Sequence, residues 1–290
     1  MLFDQPITDL VRQRYSCRTY REIPIELDTR QKLDVFLSSL SHGPLGAPLR
    51  LQLIAATEED RAALRGLGTY GFIRGATGFL VGAVGQGHKN LEDFGYRMEE
   101  AILFATALDL GTCWLGGTFT KSGFADRLGL GEDEVMPAVT SIGYISEQRG
   151  LRDRLIRRGA RADNRRPWER LFFDQAFGSP ISEEAAGDYA VPLEMVRLGP
   201  SASNRQPWRI IHDDGSWHFY LRRSAGYGEG ISGLFMTTDL QRVDMGIAMS
   251  HFALTAQELG LAGDWRVDEP GIDKPNEHTE YVVSWIPGAG

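Results

Sequence analysis

Residues Leu198 to Trp208 read LGPSASNRQPW, a run of turn-formers, small hydroxyls, two amides and an aromatic. Gly199 and Pro200 punctuate the end of a helical pattern, and Pro207 forces the chain extended into a strand beginning Trp208-Arg209-Ile210-Ile211. Between them Ser201, Ser203, Asn204 and Gln206 offer neutral donors and acceptors, which suit the edge of a flat heterocycle. Two readings are open on these residues alone: a loop that lines a ligand, or a polar turn from helix to strand.

A second segment narrows the choice. Arg14-Tyr15-Ser16-Cys17-Arg18 follows the amphipathic run Ile7, Leu10, Val11 and supplies two forked cations around a hydroxyl, a set suited to a phosphate or polyol chain. Together RYSCR and PSASNRQPW resemble the flavin-dependent nitroreductase family. Ala101 to Gly117, AILFATALDLGTCWLGG, is similar to that family's central helix and the loop after it. Asn164 to Glu169, NRRPWE, is similar to its basic C-terminal segment.

The order of these pieces departs from the ordinary family, because the Ser-Asn segment arrives near position 200, beyond the basic segment. A fold present twice in one chain explains the displacement. Val243 to Trp265 repeats the pattern of Phe94 to Trp114, with Glu258-Leu259-Gly260 answering Asp109-Leu110-Gly111. Gly43 to Leu51, GPLGAPLRL, sits where GPSASNRQPWRI sits later, but lacks the serines and asparagine. The expected halves are residues 1–174 and 175–290, interlocked as one compact unit. The expected fold class is α+β: a nitroreductase-like fold duplicated in one chain, with mixed, mostly antiparallel sheets and helices packed between them. Final strands are expected at Ala138 to Ile145 and Tyr281 to Ile286, and Glu58 to Leu64 has a helical composition.

The resemblance implies one FMN per chain and a two-half-reaction oxidoreductase in which NADH or NADPH donates electrons to a nitroaromatic, quinone or related small-molecule acceptor. It implies that Arg14, Arg165 and Arg166 hold phosphate, with Ser16 beside them, and that Arg18 lies near the pyrimidine edge. Gly116 and Gly117 would bring backbone near N5, Pro200, Ser201, Ala202 and Asn204 would line the ring, and Gln206 would support that segment. No catalytic side chain is expected, since the cofactor carries such chemistry. The pseudo-equivalent site would need an arginine motif near Phe177 to Pro180 and an asparagine segment near Pro44 to Gly46, and has neither. A flavin-sequestering protein without turnover is the alternative.

Bulk properties agree with an enzyme of small molecules. A net charge of -8 with sequence pI near 5.3 disfavours nucleic acid, and the locally basic stretch Arg149 to Arg170 is interspersed with Asp153 and Asp163. No apolar run reaches membrane-spanning length, so a cytoplasmic monomer acting as a pseudo-dimer is the expectation. Cys17 and Cys113 are expected to pack as small apolar residues, and six scattered histidines show no metal-ligand spacing. His251, inside an apolar helix, reads as a hydrogen-bonded core residue. Gly66 to Gly71 matches Gly-x-Gly-x-x-Gly but precedes a strand instead of following one, which excludes the dinucleotide fingerprint. Tyr227 to Phe235 is a candidate rim for the site, or a plain surface loop.

Overall fold

The computed structural model describes residues 3–60, 62–69, 71–117, 119–146, 164–224 and 238–288. The chain begins with α1 (Ile7–Gln13), whose Ile7, Leu10 and Val11 share one buried stripe, and α2 (Leu27–Ser39). Then come β1 (Leu49–Ala55), β2 (Gly78–Gly85), α3 (Asn90–Ala107), β3 (Leu110–Leu115), α4 (Lys121–Leu128), β4 (Glu134–Val135) and β5 (Val139–Tyr144). The later part holds β6 (Phe172–Asp174), the single turn α5 (Glu183–Ala186), α6 (Ala190–Leu198), β7 (Trp208–Asp213), β8 (Ser216–Arg222), α7 (Leu240–Glu258), β9 (Gly263–Arg266) and β10 (Thr279–Pro287).

The first sheet runs β1-β2-β5-β3, with β4 beside β2; the second runs β6-β7-β8-β10-β9. Apart from β6, which joins β7 in parallel, every pairing is antiparallel. The series β7-β8-β10-β9 therefore repeats the order β1-β2-β5-β3, strand for strand. The strand β6 lies just before the expected boundary at residue 174 yet belongs to the second sheet.

Helices α3 and α7 are buried on nearly every face, as core helices between layers must be. They cross at contact distance because glycine occupies the crossing on both. A Cβ on Gly95 would stand 2.2 Å from the Val243 carbonyl oxygen, and one on Gly246 would stand 2.0 Å from that of Glu92. Each glycine thus faces the residue one turn ahead of the other, which is the signature of a local two-fold relation.

One apolar cluster joins α1, α2 and the first sheet to Met195, Val243 and Leu254 of the later part. Polar contacts cross the same boundary: the Arg242 guanidinium donates to both Glu92 carboxylate oxygens, at 2.9 and 2.6 Å to the nearer atoms, and Thr8 N donates to Glu258 Oε2 at 3.1 Å. The outer face of the first sheet is capped by α4, with Phe124 packed edge-on against Phe79 and Phe119. Among the described residues no helix covers the corresponding face of the second sheet.

Three local expectations need correction. Leu110–Leu115 and Gly263–Arg266 are strands, where the sequence pattern reads as the tail of a helix and a loop. Described residues of the stretch 58–64 form bends and turns instead of a helix. Residues 147–163, and with them most of the basic stretch, lie outside the described residues, as does the candidate rim 227–235. Both cysteines are buried and free.

The glycine crossing makes a stability prediction. Gly246→Ala gains roughly 1 kcal/mol of helix propensity, but its methyl would press on backbone that no rotamer change can relieve, a cost of about 1–3 kcal/mol or more. Urea unfolding should therefore show net destabilisation of Gly246→Ala, while Gly87→Ala, with open space around its Cβ, should stay within about 0.5 kcal/mol of the parent. Equal stability of the two variants would refute the close crossing.

Candidate functional site

The loop after α6 is held in an unusual backbone conformation. Ser203, Asn204 and Gln206 have φ of 51°, 54° and 50°, a left-handed region that costs non-glycine residues free energy and survives only where surroundings impose it. The surroundings here are specific. Ser201 Oγ accepts from Gln206 N at 2.9 Å, and Ser201 O accepts from Asn204 N at 2.9 Å. From α7, Asp244 Oδ1 accepts from Ala202 N at 2.9 Å.

The segment 164–166 clasps this loop. Arg166 N donates to Gln206 Oε1 at 2.7 Å, and Asn204 Nδ2 and Gln206 Nε2 donate to Asn164 O at 2.8 and 3.3 Å. Arg165 Nη2 donates to Leu198 O at 2.9 Å, with Nη1 3.4 Å from Asn204 Oδ1. The two arginine side chains then diverge. Arg165 lies along the loop, whereas Arg166 turns to the outer face of the second sheet, where burial and the like charges of Arg222, Arg170 and Arg205 lower its pKa.

The Arg-x-Ser-x-Arg segment lies along the edge of the first sheet: Ser16 bridges Thr112 of β3, and Cys17 N donates to Thr112 O at 2.8 Å. Arg18 Nη1 lies 3.4 Å from Ser16 O. Arg14 points inward. Its side chain is 5% exposed, its Nε lies 3.7 Å from Glu99 Oε1, and that Nε has no hydrogen-bond acceptor.

Glu99, on α3, is fully buried and also accepts from Trp114 Nε1 at 2.7 Å. Its other oxygen faces His251 Nε2 of α7 at 3.0 Å, while His251 Nδ1 faces Met195 O at 2.9 Å. Burial alone would raise the Glu99 carboxyl; the His251 hydrogen bond and the Arg14 charge outweigh it and hold the pKa below its ordinary value. Two acceptors face the two imidazole nitrogens, so both contacts are hydrogen bonds only if His251 and Glu99 share two protons. Arg14 thus stands in the interior beside an ionised Glu99, with an Nε that no acceptor fills.

Gly116 rests on the start of α7, where its Cβ would stand 2.2 Å from Leu240 Cδ1; Gly117 is exposed. Pro200 is half-buried beside the loop. The described contacts thus bring Asn164 to Arg166 directly onto Ser201 to Gln206, and tie Arg14 and Gly116 to that region through the two long helices. Glu99 and Asp244 were not expected at the site. The pairing of a carboxylate and a histidine within two apolar helices was the available signal for Glu99.

Asp93 on α3 does for the first half what Asp244 does for the second: its two oxygens accept from Leu45 N and Ala47 N, both at 2.8 Å. Asp244 has one such bond, and its Oδ2 is buried without a partner. Burial, only partly offset by the Ala202 bond, raises the Asp244 carboxyl far above the carboxylate range. In the unfolded chain it ionises near 3.8. As pH rises above that value the unfolded state releases a proton that the folded state keeps, and stability falls. Asp244→Asn retains an acceptor and removes this slope, so its stability relative to the parent should increase from about pH 4 to about pH 7 in chemical unfolding. A difference that stays constant over that range contradicts the buried, protonated carboxyl.

Among the described residues no helix is long and apolar enough to cross a membrane. No curated protein matches the sequence. A crystal structure of a "putative nitroreductase" from Thermotoga maritima superposes with a TM-score of 0.59 at 20% identity, covering 97% of this chain and 94% of that one, and so shares its fold. A "putative nitroreductase" from Desulfovibrio desulfuricans in complex with FMN matches 53% of this chain and 96% of its own at 21% identity, TM-score 0.38. A nitroreductase with bound FMN from Bacteroides fragilis matches 51% and 92% at 17% identity, TM-score 0.38. The model of the family described as "Putative TM nitroreductase" matches residues 6–256, and the chain, an oxidoreductase of nitroreductase fold, belongs to that family.

Proposed function

We propose that this chain is an FMN-dependent oxidoreductase that takes electrons from NADH or NADPH and reduces nitroaromatic, quinone or related conjugated small molecules. The observation that carries the reading is the clasp of Asn164, Arg165 and Arg166 on the left-handed loop Ser201 to Gln206. It places cations beside neutral amide and hydroxyl groups, and the two needs of a flavin mononucleotide are an anion site and a polar ring edge. The residues fit the group in a second respect: the buried Arg14 keeps an Nε without a hydrogen-bond acceptor.

FMN, when bound, would supply the redox chemistry, and the protein contributes binding, orientation and charge. In this reading Arg14 and Arg165 hold the phosphate, with Arg166 at its margin and Ser16 and Arg18 along the β3 edge. Pro200, Ser201, Ala202 and Asn204 line the ring, and Gln206 fixes the loop by bonding Arg166 N. Gly116 and Gly117 allow close backbone approach after β3. The fold supports a duplication in which residues 43–47 and 200–204 are counterparts, each pinned by the aspartate two residues before the crossing glycine of the long helix in its own half. Only the later loop carries the serines and asparagine, so one flavin per chain is proposed, in a cytoplasmic monomer that completes its own site.

Calorimetry should give about one FMN per chain, retained on dilution as a monomer, and anaerobic NADH or NADPH should bleach the flavin absorbance. Charged hydrogen bonds contribute roughly 1.5–3 kcal/mol each, so Arg165→Ala with Arg166→Ala should weaken FMN by about two orders of magnitude. Equal affinity for riboflavin and FMN would remove the phosphate assignment. Flavin that dithionite reduces but neither nicotinamide does would favour sequestration over turnover.

A further inference from the structure

The outer face of the second sheet, which no helix covers among the described residues, holds a cavity of about 1180 Å³ beside the apolar cluster of Phe173, Ile211 and Tyr220. Alternation along β7 sends Trp208 and Ile210 into the core against α7, and Arg209 and Ile211 to the opposite face; along β8, Tyr220 and Arg222 share that opposite face. On the first sheet the same face is filled by apolar side chains beneath α4. Here five guanidinium groups, those of Arg166, Arg170, Arg205, Arg209 and Arg222, line the space. Among the described residues none of the five has a carboxylate within ion-pair distance. A sixth, Arg223, is neutralised by Asp239 and by Glu280 at 2.7 Å, which shows what pairing looks like on this face.

Arg209 is the decisive residue. It is 5% exposed, donates through Nη1 to the Gln206 and Trp208 carbonyls, and leaves Nε buried without an acceptor. Burial first, then the charges of Arg166 and Arg222, lower its pKa to about 9, which still leaves it cationic at neutral pH. A buried, unpaired cation surrounded by like charges is costly, and an apolar residue would serve the sheet better. In a chain of net charge -8 such a cluster is not a consequence of composition. Arginine forks match phosphate oxygens in pairs, and the one carboxylate of the lining, Glu169, is exposed. Five cations against one anion suit a ligand bearing three or four negative charges. The ring of Phe177, packed on Phe173 and Tyr220, provides a flat apolar wall beside them.

We propose that this cavity binds an organic polyphosphate of the nucleoside triphosphate class, its phosphates on Arg205, Arg209 and Arg222 and its base against Phe177. The site stands apart from the flavin reading, sharing only the margin at Arg166 and Gln206, and does not depend on it.

Calorimetry on the purified protein, with and without added FMN, should show ATP binding at one site with the same affinity in both conditions. Inorganic tripolyphosphate should bind more weakly than ATP, and AMP at least tenfold more weakly. Arg222→Gln, an exposed position on β8 outside the loop Ser201 to Gln206, should weaken ATP at least tenfold and leave FMN affinity within twofold. No ATP binding at millimolar concentration, ATP affinity unchanged in Arg222→Gln, or competition between ATP and FMN overturns the proposal. Equal affinity for tripolyphosphate and ATP overturns the nucleoside part, and tighter binding of a single-stranded oligonucleotide than of ATP overturns the small-molecule assignment.

Discussion

The close crossing of α3 and α7 is the constraint on which the rest of the molecule depends. Two carbonyl oxygens occupy the space that methyl groups at Gly95 and Gly246 would need. That proximity lets carboxylates on α3 reach side chains on α7, in the other part of the chain: Glu99 reaches His251, and Glu92 reaches Arg242. With helices at ordinary separations of about 8–10 Å set by larger side chains, these short bonds would lengthen beyond hydrogen-bond range. The polar interior is therefore a property of the packing as much as of the residues.

Within that frame the two parts of the chain use one device for two purposes. Asp93 satisfies two loop amides and leaves a compact Gly-Pro turn. Asp244 satisfies one, and the remaining strain in its loop is carried by Ser201, Gln206 and the incoming segment 164–166. Strained backbone held from outside is characteristic of places that must present groups to a ligand. The first loop has relaxed; the second is still under constraint.

Much of the architecture is legible in the sequence because it rests on local signals. The spacing of Ile7, Leu10 and Val11, the Gly-Pro stop after Leu198 and the strands expected at 78–84, 138–145 and 281–286 each match an observed element to within two residues. Leu110–Leu115 escaped because a short apolar run directly after a buried helix has no period of its own to distinguish strand from continued helix. Residues 58–64 contain good helix formers, but a segment that short without an apolar stripe cannot repay nucleation. At the site, the motif residues themselves could be picked out, whereas Asp244 could not, because its partner is Ala202 of a distant loop; for Glu99 the only signal was a carboxylate and a histidine in two apolar helices, which does not name Arg14 as a further neighbour. The divergence of Arg165 and Arg166 is likewise invisible in two adjacent identical letters.

The placement of β6 has a consequence for how the chain can be divided. Phe172 to Asp174 pairs in parallel with β7, and Phe173 is further bridged to Pro180. A cut at the boundary expected from the sequence, between residues 174 and 175, would strip this strand from the sheet it borders and leave β7 with an open edge, the usual template for unwanted association. A cut ahead of residue 164 would keep the strand, its clasp on Gln206 and the second sheet in one fragment. The natural seam of the molecule therefore lies upstream of residue 164, so circular permutants and split fragments should be opened there.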